Sequence, residues 1–147
     1  MHTTSRALAA LTAAIGLVAL AAPPATASTT VRGGGCAPNP RVLKVGSVTY
    51  GHATGCISAR STLVSADGYV RLARRPARCE VTLTLYRATH PHLTRIDERR
   101  YACPASDNAS HRYLLPSRTV ATENYLSVIT VRVPETFTSL SPPIHVP

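Results

Sequence analysis

Residues 79–87 read CEVTLTLYR, in which Cys79, Val81, Leu83 and Leu85 alternate strictly with Glu80, Thr82, Thr84 and Tyr86. A period of two puts one set on each face of an extended chain, so this stretch is a β-strand with an apolar and a polar face. Tyr125 to Val133, YLSVITVRV, is the next clearest strand, and its valines and isoleucine suit burial on at least one face. Weaker candidates are Val42 to Val45, Cys56 to Val64, Tyr69 to Ala73, Ile96 to Cys103, Tyr113 to Leu115 and Ile144 to Val146. No stretch of helical length carries an apolar stripe.

Turn signals separate these segments at close intervals: Asp67-Gly68, Arg75-Pro76, His90-Pro91, Cys103-Pro104, Leu115-Pro116, Val133-Pro134 and Pro142-Pro143. Short strands in that rhythm predict an all-β fold, a small antiparallel β-sandwich that is immunoglobulin-like in outline. The tryptophan of antibody domains is missing, so the resemblance is to an architecture and not to a family.

The first residues have a different character. In MHTTSRALAALTAAIGLVALAAPPATASTT a single Arg6 precedes an apolar run and then Ala25-Thr26-Ala27, a small-x-small cleavage site. That is a Sec-type signal peptide over residues 1–27, with cleavage after Ala27. The run is too short and alanine-rich for a membrane span, which needs roughly 20 strongly apolar residues. Paired arginines of a twin-arginine signal are missing, and Cys36 stands too far past the run to anchor a lipid. The expected product is a secreted chain with no transmembrane segment: an irregular arm over 28–40, then one sandwich domain over 41–147. Lys44 is the one lysine among many arginines, which suggests a GC-rich bacterial source.

Four cysteines, Cys36, Cys56, Cys79 and Cys103, in an exported chain read as two disulfides. Their spacing is far wider than the two to four residues of a zinc pair. If the strand at Val81 to Arg87 pairs antiparallel with Arg95 to Tyr101 around Pro91, Cys79 falls opposite Cys103. Sequential pairing, Cys36 with Cys56 and Cys79 with Cys103, is therefore expected, each bridge worth on the order of 3 kcal/mol in chain entropy. The same register sets Leu83 and Leu85 on one face with Arg99 and Asp97, a conflict that a bulge or a splayed edge strand would relieve.

The chain has 16 basic residues against 7 acidic ones and a formal net charge of +9. Arg71, Arg74, Arg75 and Arg78 crowd the Arg75-Pro76 turn. The plain reading is a solvated loop; the functional one is an anion-binding tip for a polymer such as one of the cell wall. Nucleic acid is an unpromising partner, because recognition wants aromatic platforms among the basic residues and only Tyr69 and Tyr86 are near. A second candidate is the loop Pro104, Ala105, Ser106, Asp107, which leaves a disulfide through a proline. A rigid, extended loop there would suit a protease inhibitor.

Catalytic and metal-binding patterns are weak. His90-Pro91-His92 resembles a chelate but fits an exposed turn. Asp107, Ser110 and His111 adjoin in one loop, whereas triad members come from separate elements. Asp97-Glu98 sit side by side among arginines and, in a strand, point to opposite faces, so they do not form the facing carboxylates of a glycosidase. Asn108-Ala109-Ser110 fits a glycosylation sequon and marks an exposed loop. No catalytic residue, metal or cofactor is expected. The sequence points to a non-enzymatic binding or cell-surface module with an extracellular protein or an anionic cell-wall polymer as partner, with inhibition of an extracellular protease as the alternative.

Overall fold

Strands with one apolar face must bury it, and here two antiparallel sheets stack to do so. The computed structural model describes residues 32–147, so the expected signal peptide lies outside the described residues. In chain order the strands are β1 (Arg32–Cys36), β2 (Arg41–Val45), β3 (Val48–Arg60), β4 (Leu63–Leu72), β5 (Glu80–Thr89), β6 (His92–Ala102), β7 (Ser110–Leu114), β8 (Arg118–Thr119), β9 (Glu123–Arg132), β10 (Thr136–Leu140) and β11 (Ile144–Val146). One sheet runs β1-β3-β4-β7, with β2 also on β3 and β8 also on β4; the other runs β10-β9-β5-β6, with β11 on β9. β3 and β4 face β9, β10 and β5 across the core. Val64, Ala66, Val70 and Leu72 of β4 meet Val81, Leu83, Ile129 and Val131 there, all with no solvent exposure.

The connections interlock. The β5–β6 hairpin belongs to the second sheet, yet β4 before it pairs with β7 after it; likewise β5 pairs with β9 around β7 and β8. This is the immunoglobulin-like connectivity. It carries that fold's tyrosine corner as well: Tyr125, early in β9 and 2% exposed, donates its hydroxyl to the Ala121 carbonyl at 3.0 Å.

Small polar residues join the sheets where the backbones come closest. The Gly55 N–H donates to Ser139 Oγ at 3.2 Å, and Ser127 Oγ donates to the Cys56 carbonyl at 2.5 Å. A Cβ at Gly55 would stand 2.7 Å from the Ser139 carbonyl oxygen, so only glycine permits this approach. Gly68 does the same for a side chain, since a Cβ there would stand 2.7 Å from Ile129 Cδ1.

Gly68 corrects one expectation. Asp67-Gly68 is not a turn but the middle of β4; the chain turns at Ser61, with φ +55°, and Thr62. Glycine serves packing there, and Asp67, 7% exposed, accepts a bond from Arg112 Nε at 2.9 Å. A second correction concerns the expected irregular arm. Arg32–Cys36 is strand β1, in register with β3 from Arg32↔Arg60 to Cys36↔Cys56. Gly34, at φ +145°, lies so close to the Ile57 carbonyl that no side chain would fit. Residues 37–40 remain irregular.

The conflict in the β5–β6 register is real and is relieved from outside the pair. Leu83 does lie opposite Arg99 and Leu85 opposite Asp97, with a bulge following at Leu85/Tyr86. β6 is the sheet edge; Arg99 is exposed there, while Asp97 and Tyr101 find partners on the other sheet. Asp97 pairs with Arg118 Nη2 at 2.8 Å, and the Tyr101 hydroxyl donates to the Leu114 carbonyl at 2.6 Å. Tyr101 also packs on Tyr113, ring centroids 5.1 Å apart.

Replacing Tyr125 by Phe keeps the ring and removes only the corner hydrogen bond. We expect a loss of about 1–2 kcal/mol in denaturant unfolding with an unchanged slope; unchanged stability would show that the corner holds nothing.

Candidate functional site

The two loops singled out in the sequence meet at one end of the sandwich. β4 ends at Leu72, and the Ala73 and Arg74 N–H groups both donate to the Tyr50 carbonyl, at 2.8 and 3.3 Å, which turns the chain out of the sheet. Arg74, Arg75, Ala77 and Arg78 are then exposed around a buried Pro76. From the other side, β6 runs into Cys103 and the Pro104 loop. The Cys79–Cys103 bridge, with Cα atoms 5.6 Å apart, clamps the two loops together. The second bridge, Cys36–Cys56, joins β1 to β3, so both pairings are sequential.

Between the clamped loops lies an open cavity of about 600 Å³, with Arg75, Pro76 and Ala77 on one wall and Pro104, Ala105 and Ser106 on the other. Its size suits a small ligand or one unit of a polymer. Arg75 is the one charged residue among those that line it. Arg74, Arg75 and Arg78 take part in none of the salt bridges among the described residues.

Arg71 stands apart from that trio. It lies on the outer face of β4 and donates its Nε to Asn108 Oδ1 at 2.7 Å, while the Asn108 N–H donates to the Leu72 carbonyl at 2.9 Å. Asp107 caps the same bend, accepting from the Ala109 N–H at 2.9 Å and bonding His111 Nε2 at 3.0 Å. Asn108 sits in the left-handed region, φ +59°. These bonds tie the Asp107–Asn108 end of the loop back to β4 and β7.

The weaker sequence patterns are only partly brought together: Asp107 and His111 are bonded, but Ser110 is not with them. Ser110 pairs with Arg71 in register while His111 pairs with Val70, so serine and histidine belong to opposite faces. Asp97 is taken by Arg118, and Glu98 by Arg95 at 3.3 Å and Thr84 at 3.3 Å. His90 and His92 stand at the other end of β5 and β6. With His145 they line an open hollow of about 460 Å³, but no group of three or more His, Cys, Asp or Glu among the described residues is placed to hold a metal ion. No helix of the described residues is long and apolar enough to cross a membrane. The sequence did not reveal the joining of the two loops into one cavity, although the Cys79–Cys103 pairing was the signal for it.

The hydrogen bond from His111, then that from the Ala109 amide, holds the Asp107 carboxyl below its ordinary value of 3.8. A depressed folded value means that this anchoring is present above pH 3.8 and is lost as pH falls through the lower folded value. In an NMR titration we expect the Asp107 side-chain carboxyl to show a midpoint below 3.8 and the Ala109 amide to move with it. A midpoint at or above 3.8 would mean that the cap is not formed. No protein-family model, curated protein or solved structure matches this chain.

Proposed function

We propose that the protein is exported by its N-terminal signal and works outside the cell as a non-enzymatic binding module, gripping an anionic partner at the Cys79–Cys103 end of the sandwich. The observation that carries this reading is the clamped cavity with Arg75 in its wall and Arg74 and Arg78 beside it, none of the three in a salt bridge among the described residues. A guanidinium without an internal partner can offer paired N–H donors to a phosphate or carboxylate. Walls held by a disulfide and two prolines lose little entropy when a ligand enters. The exported chain, having lost Arg6, keeps 15 basic residues against 7 acidic ones, and this net charge of +8 adds a field that gathers polyanions. An anionic polymer of the cell wall is the partner class that fits best.

The test uses polyphosphate as a probe that carries charge and no ring. Wild-type protein should bind it at low salt and release it as salt rises. Replacing Arg74, Arg75 and Arg78 together by Ala should weaken binding about tenfold, as three exposed ion pairs at roughly 0.2–1 kcal/mol each imply. Binding unchanged in the triple variant would refute the site. Firm retention of a discrete protein at high salt, with no polyanion binding, would refute the ligand class and revive the protease-inhibitor reading.

A further inference from the structure

The outer face of the first sheet carries a polar grid that the clamped cavity does not use. The register of β3, β4 and β7 sets His52, Arg71 and Ser110 in one cross-strand row and Thr54, Tyr69 and Arg112 in the next. Rows of an antiparallel sheet repeat every second residue, about 7 Å along a strand, and strands lie about 4.8 Å apart. Six side chains therefore cover a patch about the size of one or two sugar rings. His52, Thr54, Tyr69, Arg71 and Ser110 also line a shallow cleft of about 360 Å³, closed at one side by Pro40.

The chemistry of the patch is selective. Tyr69 is its one aromatic, a half-buried ring beside hydroxyl, imidazole and guanidinium groups. The two arginines differ in what remains free. Arg112 spends its Nε on the buried Asp67 carboxylate at 2.9 Å, which cancels its charge. Arg71 spends its Nε on the neutral Asn108 side chain, which holds the guanidinium in place and leaves its charge and terminal nitrogens uncommitted. One aromatic platform, one oriented cation and a rim of Ser, Thr and His donors and acceptors match a ring with an apolar face, one carboxylate and several hydroxyls.

We infer that the outer face of β3, β4 and β7 is a binding site for a carboxylated sugar residue, a uronate unit of an acidic polysaccharide, with its ring on Tyr69 and its carboxylate on Arg71. A single-stranded nucleic acid is the poorer fit, because it asks for repeated aromatic platforms and a basic track, and the grid has one ring and one uncancelled arginine. The inference stands apart from the anion site at the Cys79–Cys103 end, since neither Tyr69 nor Arg71 lines that cavity.

The experiment is calorimetric titration of the exported chain, residues 28–147, with tetramers of galacturonate, glucuronate and mannuronate, the methyl ester of each bound tetramer, and an eight-residue oligothymidylate. At least one uronate tetramer should bind. Its methyl ester, Tyr69→Ala and Arg71→Gln should each weaken it about tenfold or more. Tyr69→Phe should retain binding, which separates loss of the ring from loss of the fold. Arg100→Gln, on β6 of the other sheet and outside both sites, should leave the affinity unchanged. The inference is overturned if no uronate tetramer binds, if binding survives Tyr69→Ala, or if the oligothymidylate binds more tightly through the same two residues.

Discussion

The Cys79–Cys103 bridge joins the residue before β5 to the residue after β6, and the geometry of the proposed binding end depends on that link. β6 is an edge strand with one sheet neighbour, and Asp97 and Arg99 stand opposite core leucines of β5. Such a strand has little apolar area with which to hold itself down. The bridge, the Asp97–Arg118 ion pair and the Tyr101–Leu114 hydrogen bond do this instead. An inward-facing charge also discourages a second chain from pairing along the edge. The same bridge sets the separation of the Pro76 and Pro104 loops, so edge protection and cavity share one covalent constraint.

Much of the fold was legible because its signals are local. Strict alternation at Cys79 to Arg87 and the apolar run at Tyr125 to Val133 gave two adjacent strands of one sheet, and the hairpin register around Pro91 placed Cys79 opposite Cys103. What escaped was fixed by contacts distant in sequence. Gly68 looks like a turn residue, yet its reason is Ile129 on the facing sheet. Gly33 to Gly35 look like loop, yet the missing side chain of Gly34 is what lets β1 lie against the Ile57 carbonyl. β10, TFTSL, shows few apolar residues because Ser139 spends its side chain on Gly55. Tyr125 could have been recognised: a tyrosine opening a buried strand after a turn is the signature of the corner.

The candidate site was legible in its parts and not in its grouping. Four arginines near Pro76 appear as one cluster in sequence, but strand geometry divides them. Arg71 faces outward from β4 and tethers Asn108, Arg75 lines the cavity, and Arg74 and Arg78 flank it. The chain bends after the Pro104 loop, where Asp107 caps Ala109 and Asn108 adopts a left-handed backbone. Two polar surfaces then lie on either side of that bend, one built from loops and one from a sheet face.

The most direct measurement is a set of ¹H–¹⁵N correlation spectra of the protein during titration with polyphosphate at low salt. The amides of Arg75, Ala77, Ala105 and Ser106 are expected to move first and together, while those around His92 and His145 at the far end stay in place. Shifts centred on the far end, or spread evenly over every exposed arginine, would contradict a binding site at the clamped loops.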